Sequence, residues 1–254
     1  MLRRQFGLGL TSLLAAPRLA RASTPLQVMT SGAFTAPLEI LSPRFTTETG
    51  REIAIIRGAS MGNAPDALPN RLARGEAADV VILARSSLDA LVRAGQVSAG
   101  NERDLVHSAI AMAVRAGTPH PRIGTVDEFR QTLLNAASIG YSSSASGVYL
   151  STELFARLGI AEQMASRARQ FPRWVGLEVA NGVVELGFQQ VSELLPIPGI
   201  EIVGPLPAPI QRVTTFSAGI GARAEQPEAA LALIRFLASP AVHQVIREAG
   251  LDPA

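Results

Sequence analysis

Three short segments of this chain carry residues able to hold an anion. Ser31-Gly32-Ala33, Gly58-Ala59-Ser60-Met61-Gly62 and Ser142-Ser143-Ser144-Ala145-Ser146-Gly147 each follow an apolar run that reads as a strand and precede a helical pattern. Small side chains and hydroxyls at such a point leave backbone N–H groups open at a helix start, where unpaired donors and the positive end of the helix dipole attract negative charge. One such turn is ordinary capping. Three in one α/β chain point to a shared crevice, because strand carboxyl ends open toward the same crevice in such folds. Hydrogen bonds to a charged group contribute roughly 1.5–3 kcal/mol each, so four or five would hold a small anion at micromolar affinity, about −8 kcal/mol, after ordering costs.

Other chemistries find little support. Cysteine is absent, which removes a thiol nucleophile, thiolate zinc and iron–sulfur clusters. The three histidines, His107, His120 and His243, have no metal-ligand spacing. Ser144-Ala145-Ser146-Gly147 does not form the Gly-x-Ser-x-Gly elbow of a serine hydrolase. The reading therefore calls for no cofactor and no metal.

The elements that must position the three turns are legible as alternating strands and helices. Strands are expected at 26–30, 52–56 and 78–83, with helices at 35–48, around Leu68, Leu72 and Ala73, and at 87–94. His107 to Val114 reads as one strand, and Gly117-Thr118-Pro119-His120-Pro121 as a crossing between lobes. A helix at 125–135 with Thr125 as its N-cap, a strand at 138–141 and a helix at 148–158 closed by Gly159 follow. A strand at 213–220 and helices at 227–238 and 241–249 complete the chain. The repeated βα order implies α/β lobes, each a mainly parallel sheet flanked by helices.

The first 22 residues read as a cleavable export signal: Arg3 and Arg4, an apolar stretch from Phe6 to Ala16, and the small-x-small triplet Ala20-Arg21-Ala22. Both the general secretory and twin-arginine routes fit, and the periplasm is the expected compartment. Removing the signal takes away four Arg and no acid, so 23 basic and 21 acidic residues become 19 against 21, a net charge of about −2. Nucleic acid is not an expected partner, since its binding needs a clustered basic face. No run in the mature chain is long and apolar enough to span a membrane. Every basic residue is Arg, whose planar fork suits carboxylates.

The order Leu26 to Gly50, Gly58-Ala59-Ser60, Gly75-Glu76-Ala77-Ala78-Asp79-Val80-Val81-Ile82 and Ser146-Gly147-Val148-Tyr149 resembles the periplasmic molybdate-binding-protein family of transporter receptors over nearly the whole mature chain. That resemblance implies two α/β lobes with a ligand cleft between them: residues 23–107 and 214–254 as lobe I and 108–213 as lobe II. It also implies a small anionic ligand and an ABC transporter permease as partner. The family's first-turn Ser corresponds to Ala33 here, its second-turn Ser to Ser60, and its oxyanion-binding Tyr to Gln190. These departures suit an organic anion better than a tetrahedral oxyanion. Gln189 and Gln190 bring donors and acceptors, Arg57 or Arg71 a bidentate carboxylate contact, and Ser146 and Tyr149 hydroxyls. The expected ligand set is Ser31, Gly32, Ala33, Arg57, Ser60, Met61, Arg71, Ser144, Ser146, Gly147, Tyr149, Gln189 and Gln190.

Ser60-Met61-Gly62, Pro69-Asn70-Arg71-Leu72-Ala73-Arg74-Gly75-Glu76 and Gly187-Phe188-Gln189-Gln190-Val191-Ser192-Glu193-Leu194-Leu195-Pro196 look like a branch of that family that includes periplasmic aconitate isomerase. The main expectation is a receptor for a di- or tricarboxylate. The alternative is an allylic isomerase that uses the same cleft for cofactor-free proton transfer, which needs a group able to take up and return a proton. Glu193 and Tyr149, with Tyr141 behind them, are the candidates.

Overall fold

The computed structural model describes residues 24–172 and 174–254, so the export segment at 1–22 lies outside the described residues. The first half of the chain runs β1 (Leu26–Ser31), α1 (Gly32–Thr49), β2 (Ile53–Gly58), α2 (Leu68–Ala73), β3 (Val80–Ala84), α3 (Arg85–Arg93) and β4 (Arg103–Ser108). The middle runs β5 (Ile110–Arg115), α4 (Val126–Asn135), β6 (Ile139–Ser142) and α5 (Ala145–Tyr149), which continues through a π-helical turn at Leu150–Leu154 into α6 (Phe155–Arg157). Then come α7 (Ala161–Ala165), β7 (Ala168–Phe171), α8 (Val175–Ala180), β8 (Leu186–Gln190), α9 (Val191–Leu194) and β9 (Ile200–Pro205). The chain ends with β10 (Thr214–Ile220), α10 (Pro227–Leu237), α11 (His243–Glu248) and β11 (Asp252–Pro253).

The strands form two sheets, ordered β11-β4-β10-β3-β1-β2 and β7-β6-β8-β5-β9. The result is a two-lobe α/β fold. Both sheets are mixed rather than mainly parallel: β1 pairs in parallel with β2 and β3, and β6 with β7 and β8, whereas β10, β4, β5 and β9 pair antiparallel. The βαβ units make the parallel halves, and the strands that cross between lobes reverse direction and make the rest.

The crossing differs from expectation. The run 107–114 is not one strand: β4 ends at Ser108 in the first sheet and β5 begins at Ile110 in the second, leaving Ala109 as the crossing residue. The Gly-Pro-rich turn instead folds at the surface, where the Gly117 N–H donates to Glu201 at 3.0 Å and the His120 ring meets Glu201 at 2.8 Å. The return crossing lies between β9 and β10. Gln211 ties the two crossings together, its Oε1 accepting from Ile110 N–H at 3.1 Å and its Nε2 donating to the Ile110 carbonyl at 2.9 Å.

Each lobe has its own apolar core. In the first, Phe34, Leu38, Leu41 and Phe45 line one stripe of α1 and pack on the sheet with Leu233, Ile234 and Leu237 of α10. In the second, Phe129 and Leu133 of α4 meet Met112, Phe188 and Ile139. The expected cap of α4 is present as a capping box, with Thr125 Oγ1 accepting from the Glu128 N–H and Glu128 accepting from the Thr125 N–H. Among the described residues no single helix is long and apolar enough to cross a membrane.

Asp79, in the Gly-Glu-x-Ala-Asp-Val stretch, explains why a carboxylate is needed beside a buried strand. It is 3% exposed and accepts from the backbone N–H groups of Gln27, Glu225 and Gln226 at 2.8–2.9 Å, pinning β1 to the start of α10. Asp79→Ala leaves these donors without that partner. It is expected to cost about 3 kcal/mol and to lower Tm by roughly 6–12 °C. A thermal melt within experimental error of the parent would refute this role.

Candidate functional site

The two lobes meet along a cleft built where β1, β2, β6 and β8 give way to the segments that follow them. It encloses about 520 Å³ of space between atoms, part of it open to solvent. Gly32 and Thr35 of α1, Arg57 and Gly58 of β2, and Ala59 line the first-lobe wall. Ser142, Ser144, Pro172, Trp174, Gln189 and Glu193 line the other. The mouth continues outward past Glu39, Leu177 and Ile197.

The three turns face one another here. α1 opens at Gly32, and the Ser31 side chain makes no capping bond, so that residue leaves the first-turn N–H groups uncapped. The helix after β6 opens at Ala145, three residues earlier than the expected Val148, which puts Ser144 at its N-cap. Across the cleft the Ser60 N–H donates to Ser144 Oγ at 3.2 Å, while Ser60 Oγ accepts from the Ala84 N–H at 3.2 Å. Gly147 could be no other residue: a Cβ there would lie 1.6 Å from the Ser142 carbonyl oxygen.

Glu193 is the most unusual group in the wall. It takes the third position of α9, only 8% exposed, and accepts from the Gln190 backbone N–H and the Gln189 side chain. Its carboxyl is pressed against α1 of the opposite lobe, so that a Cβ on Gly32 would fall 2.0 Å from Glu193 Oε1. Burial pushes its pKa from 4.5 up to about 7, and the two hydrogen bonds offset only part of that shift. A carboxyl poised there exchanges a proton readily near neutrality.

Four buried side-chain oxygens lack a hydrogen-bond partner among the described residues: Ser31 Oγ, Ser108 Oγ, Gln190 Oε1 and Ser192 Oγ. Each lies at or just past the carboxyl end of β1, β4 or β8. Buried polar atoms are rarely left unpaired, and of these four the Ser192 oxygen belongs to a residue that lines the cleft mouth.

Of the expected site residues, the structure brings Gly32, Arg57, Ser144, Gln189 and Glu193 to the cleft wall. Arg57 also pairs with Glu39 of α1 at the mouth. Ser31, Ser60, Ser146 and Gln190 lie buried behind that wall: Ser146 bonds Ser142 Oγ at 3.0 Å, and Gln190 Nε2 reaches Thr214 at 3.4 Å. Gly147 is in the helix behind Ser142 and serves close packing.

Four placements correct the expectation. The Ala33 side chain turns into the first-lobe core. Arg71 is drawn off by Glu76 at 2.6 Å and does not reach the cleft. Met61 packs against the same core and faces a separate crevice behind the cleft. Tyr149 faces that rear crevice too, its hydroxyl donating to the Ile210 carbonyl at 2.8 Å and its ring covered by the Arg212 guanidinium at 4.5 Å, so it is not beside Glu193. Thr35 and Trp174 were not anticipated. Trp174 is the sole Trp of the chain, set among Pro172 and Arg173, a turn signal at a point where no element had been assigned.

The model of the bacterial extracellular solute-binding proteins matches residues 26–252. The chain belongs to that family. An aconitate isomerase from a Pseudomonas species is 45% identical to this solute-binding protein over 248 residues, covering 97% of this chain and 95% of that one. Among solved structures, the periplasmic molybdate-binding protein of Azotobacter vinelandii superposes with a TM-score of 0.72 at 20% identity, covering 89% of this chain and 98% of that one. The sulfate-binding protein SubI of Mycobacterium tuberculosis gives 0.68 at 16% identity, covering 91% and 88%. At such identities these two likenesses establish the shared fold.

Proposed function

We propose that this solute-binding protein is an aconitate isomerase, interconverting trans- and cis-aconitate by proton transfer in the interlobe cleft. The observation that carries the reading is Glu193, a buried carboxyl held near neutrality inside an anion-type cleft. In a receptor for anions such a group is a liability, since its ionised form repels the ligand. In an isomerase it is the reacting group. The 45% identical aconitate isomerase supports the same conclusion.

Aconitate presents a CH=C–CH2 unit carrying three carboxylates. Glu193, ionised, removes a proton from the methylene carbon, and the C–H electron pair moves into the allylic system and onto the conjugated carboxylate. The first-turn N–H groups of α1 and the Ser144 hydroxyl stand where they can stabilise that developing charge. Glu193 then returns the proton to the former vinyl carbon, and the double bond has moved by one position. Arg57 supplies the fork for a distal carboxylate. Glu193 is the one carboxyl lining the inner cleft among the described residues, so the same group takes and gives the proton.

The reading fixes the pH dependence. Only ionised Glu193 starts the reaction, so kcat/KM is expected to rise with pH along one limb centred near 7, the value burial imposes on this carboxyl. A flat profile between pH 5.5 and 8.5, roughly, would contradict it.

The receptor, the main expectation from the sequence, becomes the second reading, favoured by the two-lobe fold and the uncapped turns. Thermal melts of the mature protein with cis-aconitate, trans-aconitate, citrate, molybdate and sulfate, with the isomers separated afterwards, distinguish the two. A ligand at about 100 times its Kd adds about 2.7 kcal/mol, a Tm rise of roughly 5–10 °C. Stabilisation with conversion supports the isomerase. Stabilisation without conversion makes the protein a carboxylate receptor, and a response to molybdate or sulfate alone overturns both organic-anion readings.

A further inference from the structure

Glu39 is an acid at the mouth of a cleft whose turns favour anions. Gly32, Thr35, Ala36 and Glu39 recur at the i, i+3, i+4 and i+7 spacing that puts residues on one face of a helix, and all four line the mouth. The first three are small or neutral. A carboxylate at the end of that stripe repels what the turns attract, unless something on the other wall engages it. Arg57 does so: it lines both the inner cleft and the mouth, and it forms an ion pair with Glu39. Among the described residues Arg57 is the one cation in either lining. The guanidinium best placed to take a ligand carboxylate therefore already holds one.

We infer that Glu39 is a specificity-determining residue, a resident carboxylate that occupies Arg57 until a ligand carboxylate displaces it. The inference rests on the proposed tricarboxylate site for its ligand and on the ion pair for its existence. The pair opens readily, because the Arg57 and Glu39 side chains are 52% and 43% exposed and ion pairs in such surroundings contribute little to stability. Displacement leaves Glu39 as an acid beside the ligand, so it weakens every ligand that uses Arg57. A ligand with no carboxylate in reach of Arg57 leaves the pair intact and is not penalised in this way. Both aconitate isomers carry the same three carboxylates, so the cleft that takes one must release the other. Glu39 returning to Arg57 favours that release.

A double-mutant cycle on the mature protein tests this with tricarballylate, the saturated tricarboxylate, which has no double bond to move. Dissociation constants are measured by calorimetry at one ionic strength for the parent, Glu39→Gln, Arg57→Gln and the double variant. Ligand-free melts, expected within about 4 °C of the parent for an exposed pair, show that the variants fold. Glu39→Gln is expected to tighten binding about threefold to tenfold, as an exposed competitor for Arg57 is removed. Arg57→Gln is expected to weaken binding, and in that background Glu39→Gln is expected to change Kd by less than about twofold. In turnover, Glu39→Gln lowers KM for both aconitates by the same factor. Weaker binding in Glu39→Gln would make Glu39 a support for Arg57, and equal tightening with and without Arg57 would make it a general repulsion. Either result overturns the inference, as does an unchanged Kd. A parent that binds tricarballylate without isomerising aconitate removes the proposed function, and the cycle still decides the role of Glu39. Absence of binding in the parent and in Glu39→Gln overturns both.

Discussion

Replacing Glu193 by Gln is expected to lower kcat for aconitate isomerisation by about 10²–10⁴-fold, the usual contribution of a positioned general base. The same change is expected to stabilise the protein at alkaline pH. Glu193 titrates near its ordinary 4.5 when unfolded and near 7 when folded, so between those values the folded state holds the extra proton. Parent stability is therefore fullest, with respect to this group, below pH 4.5 and declines as pH rises toward 7, by roughly 3 kcal/mol in all. Glu193→Gln loses that decline, because the amide stays neutral and retains an oxygen for the Gln190 N–H. Steady-state kinetics with melts at pH 5 and pH 8 measure both effects. A variant that turns over normally would place the base elsewhere. One that melts no higher than the parent at pH 8 would show that Glu193 carries no burial cost.

Gly32→Ala is expected to remove most of the activity while leaving the fold intact. The added Cβ would sit 2.0 Å from Glu193 Oε1, and the atom that yields is the end of a side chain, which can swing aside. Moving the carboxyl by about 1 Å costs on the order of a hundredfold in rate when geometry carries catalysis. Gly32 opens α1 at a helical position, so Ala brings no backbone penalty there. The expected pairing is a Tm near that of the parent with kcat reduced about a hundredfold. Normal kcat would show that the carboxyl has room to work from another position. A large drop in Tm would show that the contact supports the lobe interface.

Much of the frame was readable because it is written locally. The capping box of α4 needs only Thr125 and Glu128, and the stripe of α1 only the spacing of Phe34, Leu38, Leu41 and Phe45. The crossing between lobes was not readable in the same way. The apolar run through Val106 and Ile110 looks continuous, and only tertiary pairing divides it, with Ser108 beside Thr214 and Ile110 beside Gln190. Segment 160–212 escaped assignment because β7 is a short edge strand with exposed Arg169 and Gln170, and α8 follows a left-handed Trp that no propensity favours.

The site divides along the same line. Turns rich in Gly and Ser announce a helix start, and Gly32, Ser144 and the neighbourhood of Ser60 follow from that. A Glu just after a strand reads as an exposed cap, and Glu193 does accept from Gln190 N–H as a cap would. What lifts its pKa is burial, with its carboxyl set against Gly32, a contact between residues on different lobes. Tyr149 and Arg71 misled for the converse reason: each has a suitable functional group, but Ile210 and Glu76 have already engaged it.

The most direct measurement is a proton NMR time course of trans-aconitate in deuterium oxide with the mature protein and, in parallel, Glu193→Gln. The account expects the parent to produce cis-aconitate, some of it carrying protium returned by the shielded carboxyl rather than deuterium from solvent, and the variant to produce essentially none. Unchanged trans-aconitate with the parent protein, under conditions where it raises Tm, would contradict the isomerase and leave a tricarboxylate receptor in its place.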